Sequence, residues 1–346
     1  MTTTTDATTR RARVPLSVAL AGLAVLLVVS VVVAVTFGPA DVTAAEAFAS
    51  IAHHLGLPVD APDRLTDAIV WELRTPRTLT AAVVGAGLGL AGAVMQSLTR
   101  NPLADPYLLG LSSGASLGAV AVLVLGLAVA LPAAAFVGAL AALALSLAIA
   151  RAAGSLTPTR MVLAGLAVSQ LCAAATSVVI FWTATGDSYR EIVTWLLGSV
   201  AGADWGSVGL SAVALVVVGL ALLASAPTLD AFAFGDTAAA SLGVHVERTR
   251  WSLLAAVALL TGAMVAVSGA IGFVGLVLPH GVRLVLGAPH RRLLPAVALT
   301  GAVFLVWADT LARTVFDPRE LPVGVVTALV GVPVFVVLLR RRGSWS

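Results

Sequence analysis

Apolar residues fill this chain in about ten blocks separated by short polar links, at residues 14–37, 76–98, 107–130, 132–151, 159–183, 206–226, 251–267, 272–286, 293–313 and 321–339. Apolar runs of about 20 residues cross a bilayer as helices, since only a helix or a closed barrel satisfies its backbone in hydrocarbon. The longest polar interruption in the second half, residues 228–250, has six of these blocks before it and four after it. The pattern predicts an all-α polytopic membrane protein. The eighth block breaks the rule, because 15 residues rise only about 22 Å against a hydrocarbon core of about 30 Å. It is expected as an interrupted helix packed inside protein.

Local signals set the boundaries. Thr75-Pro76 offers an N-cap and first-turn proline for the second span, and Asp105-Pro106 repeats the device before the third. Residues 38–71 read as an external loop with one short helix. Residues 186–205 read as an outer loop whose segment EIVTWLLG is amphipathic enough to lie at the interface. In the central loop, Gly235-Asp236 opens a short run that closes at Gly243. An Asp cap and a glycine stop predict a helix of about two turns, with a plain solvated linker as the other reading.

Composition agrees with the pattern: 59% of the 346 residues are hydrophobic and 11% charged, with a mean hydropathy of +1.03. All 20 basic residues are arginine. Without lysine a Walker phosphate loop cannot exist here, so ATP-driven work must come from another chain. Lone Cys172 permits no disulfide framework. No basic stripe with interleaved aromatics marks a nucleic-acid surface.

Arginine positions orient the threading. Thirteen, at 10, 11, 13, 100, 151, 160, 248, 250, 291, 292, 340, 341 and 342, fall on one side; six, at 64, 74, 77, 190, 313 and 319, fall on the other; and Arg283 lies within the eighth span. The positive-inside rule then places both tails, residues 1–13 and 343–346, in the cytoplasm, with residues 14–342 as a ten-span membrane domain. An internal repeat is suggested by Gly92-Ala93, Pro102 and Gly110, which recur 177 residues later as Gly269-Ala270, Pro279 and Gly287. Five-span halves so related would be inverted repeats.

Catalytic clusters, cofactor motifs and metal-ligand sets are absent from the pattern, as is an intramembrane acid series for ion coupling. His53 and His54 read as surface residues, and His280, beside Pro279, as a group that satisfies freed backbone or packs at a helix end. Glu72, Arg74 and Arg77 cluster where the second span emerges, and Asp309 lies four residues before Arg313 at the end of the ninth. Two readings stay open for these arginines: interfacial snorkelling with an i,i+4 ion pair, or a basic outer rim that receives carboxylates of a docking protein.

WELRTPRTLTAAVVGAGLGLAGAVMQSLTRNPLADPYLLGLSSGASLG (71–118) and SGAIGFVGLVLPHGVRLVLGAPHRRLLP (268–295), followed by ADTLAR and ELPVGVVTALVGVPVFVVLL, closely resemble permease subunits of bacterial importers for iron–siderophore complexes, haem and cobalamin. The resemblance covers residues 14–342. It implies a ten-span subunit of the cytoplasmic membrane that pairs with a second permease, identical or paralogous. It also implies cytoplasmic ATPase subunits and an extracytoplasmic binding protein as partners, besides membrane lipid.

Carried onto this sequence, the ATPase-coupling helix is Gly235, Asp236, Thr237, Ala238, Ala239, Ala240, Ser241, Leu242 and Gly243, and the docking arginines are Arg74, Arg77 and Arg313. Phe316-Asp317-Pro318-Arg319, ahead of Glu320, departs from the family pattern and adds charge to the rim. The expected function is permeation of ferric siderophores by alternating access, with cobalamin or haem as the alternative cargo. A stand-alone secondary transporter is the rival from another class, and an intramembrane enzyme a remote third.

Overall fold

A computed structural model describes residues 15–126, 129–154, 157–183, 186–316 and 319–342. Both tails lie outside the described residues, as do Asp317 and Pro318. The described chain is helical throughout: α1 (Leu16–Thr36), α2 (Ala44–His54), α3 (Arg64–Ala68), α4 (Thr75–Leu98), α5 (Leu111–Leu125), α6 (Leu131–Ala152), α7 (Pro158–Thr183), α8 (Gly186–Leu197), α9 (Trp205–Ala224), α10 (Ala226–Ala233), α11 (Asp236–Ser241), α12 (Val246–Ser268), α13 (Val274–Leu286), α14 (His290–Thr314) and α15 (Val323–Arg342). Among the described residues, seven helices are long and apolar enough to cross a membrane; Leu111–Leu125, Val274–Leu286 and Val323–Val337 are shorter apolar stretches.

The bundle is built around α4. Nearly every residue of this helix is buried, with α1, α9, α12, α13 and α14 packed against it. Small residues permit this, since a methyl on Gly85 would strike the Gly301 carbonyl and one on Gly92 the Gly275 carbonyl. Lipid tails are as apolar as leucine, so close backbone approach rather than hydrophobic exclusion holds such helices together. The outermost helices show the converse: α1 buries only Ser30, Ala34 and Val35.

Three boundaries differ from the sequence reading. Residues 38–71 carry two helices instead of one, the first closed by a capping box of Thr43 and Glu46, and the second, α3, runs into α4 through a π turn, Ile69–Arg74. Thr75-Pro76 therefore opens α4 without a capped break, the residue before it, Arg74, being already helical. Proline without an N–H interrupts the ladder, and the chain widens into the π turn, where Thr75 Oγ1 donates to the Val70 carbonyl at 2.7 Å. The third span is itself broken. Asp105 caps a 3₁₀ turn, Pro106–Leu109, and Gly110 at φ 84° reverses the chain before the short α5.

The eighth span is short, as expected, and its break is satisfied from outside. Pro279 cannot donate to the Gly275 carbonyl; Gln96 Nε2 of α4 reaches that oxygen at 3.3 Å and the Leu276 oxygen at 3.0 Å. Gln96 fills the gap, and His280 beside it is buried. The residues matched in the suggested repeat do not take equivalent places in their helices. Pro102 lies in a link while Pro279 is inside α13, and Gly92 is mid-helix while Gly269 ends α12.

Contacts sort the helix ends into two sets. At one end Arg77 meets Glu320, Trp205 Nε1 donates to the Trp71 carbonyl, and Gly324 N donates to Gly198 O at the end of α8. At the other end Ser97 Oγ donates to the Leu229 carbonyl and His290 meets Asp230. This segregation agrees with the threading read from the sequence.

Candidate functional site

The second set of helix ends carries the central-loop helices as one braced block. Residues 228–250 hold more than one short helix: α10 precedes α11, and residues 246–250 are already the first turn of α12. Ser225-Ala226-Pro227, with proline in the first turn, is the start signal that could have revealed α10. Three helices hold the block in place. The Asp230 carboxylate accepts from His290 N at 2.9 Å and lies 2.6 Å from His290 Nδ1, the Leu229 carbonyl accepts from Ser97, and Arg250 of α12 reaches Asp236 at 2.8 Å while lying over the Phe232 ring.

The geometry of α11 corrects one expectation. Asp236 is not its cap; Gly235, at φ 100°, holds that position without a side-chain hydrogen bond. Asp236 sits in the first turn, where its charge suits the helix N-terminus and is taken up by Arg250. The predicted stop at Gly243 is present as a Schellman arrangement. Gly243 N donates to Ala240 O and Val244 N to Ala239 O, with Gly243 at φ 85°. Ala239 is wholly buried, whereas Phe234 is 79% and Leu242 69% exposed. Two large apolar side chains thus stand out from a block fixed to α4, α12 and α14.

At the opposite end the three arginines come together, but inward. Arg74, Arg77 and Arg313 are 4%, 8% and 3% exposed, so neither snorkelling nor a freely presented rim describes them. The π turn aims Arg74 at the end of α1, where its guanidinium donates to the carbonyls of Val35, Thr36 and Ala40; Arg313 Nη2 donates to Ala34 O of the same turn. Carbonyls at the end of a helix are short of regular helical donors and favour cations, which suits both placements.

Asp309 is the buried counterion of this cluster. Its expected i,i+4 pair with Arg313 is long, at 3.7 Å, because the carboxylate is engaged by Arg77, whose Nε lies 3.1 and 3.0 Å from its two oxygens and Nη2 2.9 Å from Oδ1. Arg77 Nη1 donates to Glu320 Oε2 at 2.7 Å. Arg74, Arg77, Arg313 and Glu320 nevertheless line a depression of about 290 Å³ beside the 38–40 turn. Sequence reading missed the Arg77–Asp309 pairing, since 232 residues separate the two and no spacing rule connects them.

A family model described as the FecCD transport family matches residues 26–341. The chain belongs to the FecCD transport family. Relatives include the "Uncharacterized ABC transporter permease protein YvrB" of Bacillus subtilis, 41% identical over 91% of this chain and 91% of that one. The "Vitamin B12 import system permease protein BtuC" of Vibrio cholerae is 44% identical over 82% and 86%, and the "Cobalamin import system permease protein BtuC" of Halobacterium salinarum 42% over 85% and 79%. A solved structure titled "An inward-facing conformation of a putative metal-chelate type ABC transporter" superposes with a TM-score of 0.81 at 32% identity, covering 93% of this chain and 98% of that one. This FecCD-family chain is a multi-pass permease of the ABC-importer class, a transport subunit and not an enzyme. The resemblance read from the sequence is thus borne out at the level of family.

Proposed function

We propose that this permease moves a metal chelate into the bacterial cytoplasm across the cell membrane, with both of its termini on the cytoplasmic side and a separate ATPase bearing on α10 and α11. The observation that carries the coupling reading is the pair Phe234 and Leu242, large apolar side chains exposed on a block braced by Arg250, Asp230 and Ser97. Apolar anchors flanked by polar groups are what a partner groove recognises. Bracing then passes the partner's motion to three spans at once. The interrupted α5 and α13 supply irregular backbone at membrane depth, which suits a pathway that opens alternately to the two sides.

A second permease, identical or paralogous, and an extracytoplasmic binding protein complete the assembly in this reading. For the binding protein, carboxylates of the partner would enter the depression lined by Arg74, Arg77 and Arg313. Partner acids would supplement the in-chain acids there, so the arginines act as a partly neutralised receptor. The absence of lysine, and with it of a Walker loop, supports an ATPase on a separate chain.

Cobalamin is the first cargo to test, supported by the names of the 42–44% identical relatives; ferric siderophores, expected from the sequence reading, are the second. Uptake of labelled cobalamin, of a labelled ferric hydroxamate and of haem by cells dependent on this permease separates the cargoes, and uptake of none of the three overturns the metal-chelate reading. Phe234→Asp with Leu242→Asp is expected to abolish co-purification of the ATPase while the protein still inserts. Retention of the ATPase by that variant would remove α10 and α11 from the coupling role.

A further inference from the structure

Glu320 is the exposed member of the arginine cluster. Three guanidinia, of Arg74, Arg77 and Arg313, face two carboxylates there. Asp309, with 1% of its side chain open, is held by the Nε–Nη2 edge of Arg77; Glu320, with 32% open, is held by Nη1 alone. Arg313 Nε is buried and makes no hydrogen bond. The cluster therefore keeps donor capacity and an excess positive charge beside a depression that Arg74, Arg77, Arg313 and Glu320 line. Glu320 lies in the non-helical link before α15, tied down at its neighbour, where Leu321 N donates to Ala312 O at 2.9 Å. Backbone anchoring beside it leaves the side chain free to turn outward without unfolding the link.

We propose that Glu320 stands in for a partner carboxylate: it occupies the outer face of Arg77 in the undocked permease and is displaced when a soluble protein presents an Asp or Glu side chain there. This rests on the docking reading above. Exchange of one carboxylate for another leaves the charge of the cluster unchanged while the partner is bound. Arg77 thus never stands with an unmet donor in a buried site, a costly condition. Docking energy becomes a difference between two similar contacts, which favours a partner that must leave after delivery.

Glu320→Gln tests this. The amide keeps the size and weakens the hold on Arg77, so a partner carboxylate no longer competes with a charged occupant. The probe is the purified binding protein with which this permease works as an importer, titrated onto the permease–ATPase complex in lipid nanodiscs at two salt concentrations. Wild-type binding should weaken with salt, and Glu320→Gln should bind about fivefold tighter, the size of a partly exposed ion pair, with a steeper salt dependence. If Glu320→Gln does not assemble, Glu320→Asp, which pulls the carboxylate back by one methylene, should shift binding in the same direction.

Wild-type affinity that ignores salt overturns the docking reading itself and the competition with it. Salt-sensitive wild-type binding with unchanged or weaker binding by the variants overturns the competition alone and leaves Glu320 as a latch between α4 and α15. That latch role would register as a lowered melting temperature with no gain in affinity.

Discussion

Gln96 offers the sharpest test of how this fold tolerates its broken helix. Its amide, 3% exposed, meets the carbonyls of Gly275 and Leu276. Pro279 leaves the first of these without its helical donor, and the second has the His280 N–H in regular helical register. Gln96→Leu keeps the volume and removes the donor, leaving a buried carbonyl unmet at a cost of about 1–3 kcal/mol. Pro279→Ala restores an N–H at the right place, so in that background the same Gln96→Leu change should cost about 1 kcal/mol less, a coupling readable by a double-mutant cycle. The assay is SDS-induced unfolding of the four purified variants, with cobalamin uptake alongside. An equal penalty for Gln96→Leu with proline or alanine at 279 would refute the reasoning and reduce Gln96 to a packing residue.

Other outcomes follow from the same geometry. Ala239 is the first residue of α11 to donate within the helix, to Gly235 O at 2.9 Å. Ala239→Pro should therefore cost about 3 kcal/mol locally and stop uptake, while Thr237→Pro, in the first turn, should leave uptake intact; equal uptake by both would return α11 to a passive link. Asp309→Asn removes the counterion that is 1% exposed and should destabilise by about 3–5 kcal/mol, seen as a lower melting temperature in detergent. A change under about 0.5 kcal/mol would show that Glu320 alone neutralises the cluster.

The caps of α2 and α3 should be acid-sensitive. Backbone hydrogen bonds from Thr43 and Thr66 hold Glu46 and Asp63 below the ordinary carboxylate range. Their contribution is present in full above that range and lost as pH falls through the lowered values. Hydrogen-exchange protection in α2 and α3, taken relative to the intrinsic amide rate at each pH, should then fall below about pH 4 and stay flat from pH 5 to 8; a loss of protection within pH 5 to 8 would contradict the assignment.

Residue order alone carried the all-helical class, the membrane, the position of most spans, the short eighth helix and the glycine stop at Gly243. These depend on local chemistry: apolar run length, a missing proline N–H, a residue that tolerates positive φ. The family, too, was legible, because its motifs are contiguous. What the sequence could not settle was which buried polar group answers which. Arg77 finds Asp309 across 232 positions, Gln96 finds Gly275 across 179, and Asp230 finds His290 across 60. Read alone, arginines near a helix end suggested a surface, and Asp236 suggested a cap. Helix packing made the decision instead. Once α1, α4 and α14 close on one another, a guanidinium at their junction has buried acceptors within reach, and meeting them outweighs exposure to water, since an unmet donor in that setting is costlier than a hydrated one is favourable.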